Sequence, residues 1–145
     1  MPEIDLPDIN AWLALACEDH QHHTRARHYW EQEGAPHLAF CRVTMLGLLR
    51  LATNTIVMQN RPFTPSEAWK IYRVFIALPE VIFLGEALDI EIQFAAYSEA
   101  RNFPANRWTD AYLAAFAHGA GCRLVSFDAD FQSFAELEFL HLQTA

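Results

Sequence analysis

Three aspartates stand where apolar runs of this 145-residue chain stop or begin. Asp8 lies in Leu6-Pro7-Asp8-Ile9-Asn10-Ala11-Trp12-Leu13, Asp110 in Trp108-Thr109-Asp110-Ala111-Tyr112-Leu113, and Asp128 in Leu124-Val125-Ser126-Phe127-Asp128. If the fold gathers them, it meets a charge problem: two unit charges about 4 Å apart repel by roughly 4 kcal/mol at an effective dielectric near 20. Protonation of one partner answers it, and so does a hard divalent cation with oxygen ligands. Such an ion polarises a phosphoryl oxygen and lowers the pKa of a bound water, which is the chemistry of phosphodiester hydrolysis. The plainer reading makes Asp8 and Asp110 helix caps and Asp128 a turn residue. The three carboxylates alone leave both answers open.

The elements around them decide whether they can meet. Ile4 and Leu6 alternate as in a short strand that Pro7 ends, and Asp8 then caps a helix whose apolar face holds Ile9, Trp12, Leu13 and Ala16. A polar helix is expected from His23 to Glu33, closed by Gly34 and Pro36, then a strand over 38–41 and a helix that Thr44 caps, through Met45, Leu48, Leu49, Leu51 and Ala52. Gly47 inside that helix costs about 1 kcal/mol relative to alanine, so close packing or a ligand must explain it. Thr64-Pro65-Ser66-Glu67 is a capping box with proline at the first helical position. A strand at 81–84 and a helix at 88–101 follow, then a helix begun by Asn106 or Thr109 and terminated by Gly119 and Gly121. Arg123 to Ser126 has the nearly unbroken apolar character of a buried parallel strand, and a short strand over 138–142 lies at the end. Strands alternating with helices predict an α/β fold of three layers, a mainly parallel central sheet of 4–5 strands with helices on both faces. Ligands bind such sheets outside the carboxyl ends of the strands, where Asp8 and Asp128 fall.

Length and a 52% hydrophobic composition predict a single domain over 1–145. No run of about 20 apolar residues and no basic, apolar leader is visible, so a soluble cytoplasmic protein with no membrane contact is expected. The formal net charge of −8 argues against general attraction to a phosphate backbone, although nine-tenths of its positive charge is arginine, suited to bidentate phosphate contacts, and Lys70 is the one lysine. Cys17, Cys41 and Cys122 each lie in apolar segments, as buried free thiols do.

Four segments, in order, resemble the motifs of the PIN-domain ribonucleases, specifically the VapC-type toxins of bacterial toxin-antitoxin pairs. They are Pro7-Asp8-Ile9-Asn10-Ala11-Trp12-Leu13-Ala14-Leu15, with His20 and His23 soon after; Val43-Thr44-Met45-Leu46-Gly47-Leu48-Leu49-Arg50-Leu51; Trp108-Thr109-Asp110-Ala111-Tyr112-Leu113-Ala114-Ala115; and Leu124-Val125-Ser126-Phe127-Asp128-Ala129-Asp130-Phe131. The resemblance implies a PIN-like fold and a metal-dependent endoribonuclease toxin that hydrolyses RNA phosphodiester bonds and is inhibited by a cognate antitoxin. It implies Asp8, Asp110 and Asp128 as catalytic, metal-binding carboxylates for Mg²⁺ or Mn²⁺, with Asp130 as an outer ligand or as an acceptor behind the ligands. The second motif departs from the family: where many members place a glutamate, this chain has Gly47, or Met45 in a shifted alignment, which leaves Asp130 or Glu86 as substitutes. Asn10, Arg50 and Thr109 are the candidate substrate contacts. Each also has a structural role open to it: Asn10 as helix-start polarity or an orienter of Asp8, Arg50 in a pairing with a carboxylate, Thr109 as a cap.

The alternative reading is a catalytically weakened domain of the same fold that binds a partner or RNA without cutting. A haloacid-dehalogenase-type phosphatase, suggested by Asp128-Ala129-Asp130, fails because its nucleophile belongs on the first strand with a lysine downstream. His20, His22 and His23 read as a polar loop, since hard oxygen sites do not use imidazole. Trp69, Tyr72, Phe75 and Ile76 form a stripe that is core by default, part of which can serve an antitoxin helix or the homodimer expected of the family.

Overall fold

The computed structural model describes residues 2–144. Five strands, β1 (Ile4–Pro7), β2 (His37–Phe40), β3 (Val81–Phe83), β4 (Arg123–Ser126) and β5 (Phe139–His141), form one sheet of order β3-β2-β1-β4-β5. Every pairing is parallel, with Leu6 opposite Leu124 and Leu38 opposite Val81. The chain builds outward from β1 through β2 to β3, then returns to lay β4 on the other flank of β1. Strand order therefore reverses between β1 and β4, and the crevice beyond their carboxyl ends is the switch point of the sheet.

Alternation along the strands divides the core in two. Leu6, Ala39 and Leu124 face α5 (Ile90–Ser98) and α6 (Trp108–Ala120), meeting Leu113, Phe116 and Ala117. Leu38, Phe40 and Val125 face the other layer, α1 (Ile9–Ala16), α2 (His23–His28), α3 (Arg42–Ala52) and α4 (Pro65–Ile76). There Trp12 stacks on Phe40, with centroids 3.8 Å apart, and meets Trp30 and Phe75 edge-on. The expected stripe on α4 thus divides: Tyr72 and Phe75 pack in this cluster, while Trp69 is exposed. All three cysteines are free and buried, and no helix among the described residues is long and apolar enough to cross a membrane.

Local chemistry fixes several boundaries. Asp8 caps α1 by accepting from the Ala11 N–H at 2.9 Å. Thr64 and Glu67 close the capping box of α4 reciprocally. Gly121, with φ of 69°, ends α6 in the left-handed region, so Gly121 rather than Gly119 is the terminator.

Other expectations need correction. α3 begins at Arg42 with Cys41 as its cap, and Thr44 sits in the first turn, where its hydroxyl accepts from the Cys41 N–H and donates to the Cys41 carbonyl. Neither Asn106 nor Thr109 caps α6; a 3-10 turn over Ala105–Arg107 leads into it. α5 is shorter than expected because Leu88 is exposed and anchors nothing. The expected 23–33 helix is α2 followed by a π-helical turn, Tyr29–Glu33. Gly47 has a packing cause: a Cβ there would lie 2.3 Å from Cδ1 of Ile9, so α1 and α3 approach as closely as they do only across a glycine.

Candidate functional site

Asp8 follows β1 directly, its N–H bonded to the Val125 carbonyl at 2.9 Å, and its side chain is buried. One carboxylate oxygen is used by the α1 cap, and the other accepts from the Ser126 hydroxyl. Ser126 Oγ in turn accepts from the Asp128 N–H at 2.9 Å, so a single hydroxyl at the end of β4 fixes both acids relative to each other. Asp128 Oδ1 accepts from the Asp130 N–H, which shapes the turn after β4.

Among the described residues no arginine or lysine bonds to Asp8. Burial pushes its carboxyl up to about 6, and the charges of Asp110 and Asp128 push the same way against the two hydrogen bonds. Asp110, in the first turn of α6, is also raised, first by burial and then by Asp128 and Asp130. Arg107 opposes that shift, its Nε donating to Asp110 Oδ2 at 3.2 Å. The Arg107 guanidinium lies over the Phe134 ring, and its Nη2 is buried with no hydrogen-bond partner among the described residues.

Asp8 and Asp128 line a cleft of about 320 Å³ at the switch point, together with Ser126 and Asn10. His20, Gln21 and His22 line it as well, and Phe127 completes it. Asp110 stands at its margin, within electrostatic reach of Asp8 and Asp128, and Asp130 within reach of Asp110. Of the other candidates, Asn10 is in the cleft, while Arg50 and Thr109 are exposed and do not line it. Arg50 has no ion-pair partner among the described residues, contrary to the expected pairing. Glu86 lies beside Tyr112, whose hydroxyl is held above its usual range first by burial and then by the Glu86 charge.

Sequence reasoning missed Ser126, Arg107, His20 and His22. Ser126 was visible as the one polar residue closing an apolar strand, and Arg107 as the basic residue three positions before Asp110. For the histidines the sequence showed the imidazoles but not the side they face.

The donor set around Asp8 fits a hard divalent ion in its chemistry: oxygen donors, excess negative charge, and no lysine among the residues lining the cleft. Among the described residues, no three His, Cys, Asp or Glu side chains close on one point as a ready-made cage. That is compatible with an ion that keeps several waters and takes one or two carboxylates directly.

The comparisons follow the same line. A family model described as PIN domain matches residues 6–137. Ribonuclease VapC41 of Mycobacterium tuberculosis is 40% identical over 139 residues, covering 92% of this chain and 94% of that protein. Ribonuclease VapC38 of the same organism is 29% identical over 135 residues, covering 90% and 89%. Among solved structures, M. tuberculosis VapC20, described as a Sarcin-Ricin loop cleaving toxin, aligns with a TM-score of 0.67 at 18% identity, over 92% of this chain and 98% of that one. A toxin-antitoxin complex from Klebsiella pneumoniae gives 0.66 at 15% identity, over 97% and 99%. The two structures speak for the fold. The chain belongs to the PIN-domain family, in the VapC-type branch that its four motifs resemble.

Proposed function

We propose that this chain is a divalent-metal-dependent endoribonuclease toxin, acting on RNA and restrained by a cognate antitoxin. The observation that carries the reading is Asp8: a buried carboxylate at the switch point, with no lysine or arginine bonded to it among the described residues and two further acids pressing on it. The 40% identity to a ribonuclease over nearly the whole chain supports the substrate class.

In this reading Asp8, Asp110 and Asp128 hold Mg²⁺ or Mn²⁺, with Asp130 outside them. Such an ion, when bound, supplies Lewis-acid polarisation of a phosphoryl oxygen and a more acidic water. The chain's own groups set the stage for that chemistry. Ser126 ties the Asp8 carboxylate to the backbone N–H of Asp128. Arg107 opposes the upward shift that burial imposes on Asp110 and fixes that carboxylate, its Nε donating to Asp110 Oδ2. Asn10 offers an amide within the cleft to orient water or substrate. Arg50 and Thr109 remain candidate contacts only for RNA that extends beyond the cleft.

The antitoxin belongs to the same reading because solved relatives of this fold include toxin-antitoxin complexes. Apolar surface for it, or for a second copy of the chain in a homodimer, is present in exposed Trp69 and Val74 on α4 and in Ile92 on α5.

The test is cleavage of single-stranded RNA by the purified chain in Mg²⁺ or Mn²⁺. EDTA abolishes it, and Asp8→Asn or Asp128→Asn lowers the rate at least about 100-fold, on the scale of removing one transition-state electrostatic contact. Cleavage that persists in EDTA and in both variants excludes the metal mechanism.

A further inference from the structure

The cleft has a second wall that the carboxylate chemistry does not use. The turn between α1 and α2 is built by the His20 N–H on the Cys17 carbonyl and the His23 N–H on the His20 carbonyl, both at 3.0 Å. His23 is structural, its Nδ1 lying 2.8 Å from the Ala14 carbonyl and tying α2 to α1. His20 and His22 differ, for both line the cleft with Asp8 and Asp128. The His22 N–H donates to His20 Nδ1 at 3.0 Å, which makes Nδ1 an acceptor and puts the proton of the neutral ring on Nε2. That Nε2–H has no partner among the described residues. The His22 ring stacks on Phe127, with centroids 4.6 Å apart and planes 21° from parallel, and Phe127 immediately precedes Asp128.

Charge explains what such a wall is for. RNA is a polyanion, the chain carries a net charge of −8, and among the described residues no lysine or arginine lines the cleft. A strand held there must be gripped by neutral donors and by ring faces, which is how unstacked bases are commonly received. Burial, with the neighbouring His22 and His23, disfavours the charged form of His20, so it offers a donor without a cation.

We propose that the His20–His22 turn is the strand-holding wall of this cleft, His20 donating Nε2–H to an RNA phosphate oxygen and the Phe127-backed His22 ring stacking against a base beside the cleavage point. The proposal rests on the ribonuclease reading, and it makes both histidines positioning residues rather than metal ligands.

The test uses the full chain and a fluorescein-labelled single-stranded RNA of mixed sequence about 12 nucleotides long, within the span one such groove covers. Binding is measured in EDTA and cleavage in Mg²⁺. His22→Ala weakens binding about 10-fold, as expected for loss of one base stack, and raises KM by the same factor with kcat nearly unchanged. His22→Phe restores both, because the ring is what matters. His20→Ala weakens binding at least about 10-fold, the scale of one hydrogen bond to a charged group, and His20→Gln recovers part of it. In the unmodified protein, the imidazole NMR signals of His20 and His22 shift when the RNA is added. Unshifted signals overturn the proposal whatever the variants do, as does His22→Phe behaving like His22→Ala. A changed Mg²⁺ requirement in the histidine variants also overturns it, since it makes them ligands. If the unmodified protein cuts no RNA, the ribonuclease reading itself falls and the proposal with it.

Discussion

Asp5 and Asp8 flank the buried length of β1, and neither is open to solvent. At Asp5 the chain brings a cation: Arg123 donates Nε to Oδ1 and Nη2 to Oδ2, both at 2.9 Å, in a bidentate pair. The Tyr29 hydroxyl and the Ala35 N–H complete the coordination of Oδ2. At Asp8 the chain brings one hydroxyl, one N–H and two more acids. Two buried carboxylates, one within β1 and one just past its end, are thus treated oppositely. Where the fold supplies the counter-charge, the acid is part of the architecture; where it withholds one, the fold bears a cost that a ligand can relieve.

The largest expected effect comes from breaking the satisfied end. Arg123→Ala leaves the Asp5 charge buried and unpaired, which destabilises by about 3–5 kcal/mol, read from urea unfolding. RNA cleavage per folded molecule stays the same, since Arg123 lies at the opposite end of the strands from the cleft. A loss of cleavage without a loss of stability reverses the assignment of the two ends.

The unsatisfied end is sharpened by pH. The Asp8 carboxyl titrates at 3.8 when free and at about 6 in the fold, so the folded chain holds that proton more tightly. Below about pH 4 both states are protonated and the site carries no penalty. As pH rises through 6 the folded chain must ionise a group that the unfolded chain has already ionised, and stability falls by about 3 kcal/mol. Asp110, raised as well, adds to the same slope. Unfolding from about pH 3.5 to 7.5, a window that spans both pKa values, should show this decline in the native chain and a shallower one in Asp8→Asn. Mg²⁺ at pH 7.5 should recover most of it in the native chain alone. An equal slope in both proteins removes Asp8 as its source.

The smallest effect probes the packing beside the cleft. Gly47→Ala pushes a methyl into Ile9, the neighbour of Asp8, and overpacking of that kind costs about 1–3 kcal/mol, offset by about 1 kcal/mol of helix propensity. Ile9→Ala in the same chain should relieve the clash, so the two changes together cost less than their sum. Strict additivity in thermal unfolding would separate the two residues.

Features with local causes were legible in the sequence. Asp8 as cap and strand end, the Thr64–Glu67 box and the β4 run all follow from neighbours within a few residues. The π-helical turn at Tyr29–Glu33 was not, since the groups it serves are distant: the Tyr29 hydroxyl reaches Asp5 and the Glu33 carbonyl receives Arg123. The histidine turn escaped for the same reason, its orientation being fixed by Phe127 at the far end of the chain. Of the site, the acids at strand ends were readable, whereas Ser126 stood out only as a polar end to β4, and its link to Asp8 depends on a residue 118 positions away.

The contact between Gly47 and Ile9 also constrains the history of this sequence. With the Ile9 side chain filling the gap between α1 and α3, an acid cannot be introduced at position 47 in one step without a collision. A one-by-one route runs through a smaller residue at position 9 first, a change that by itself opens a cavity and weakens the fold. Descendants of this chain are therefore expected to keep the pair together or to change both, and a relative with glutamate at 47 should carry a small or displaced side chain at 9.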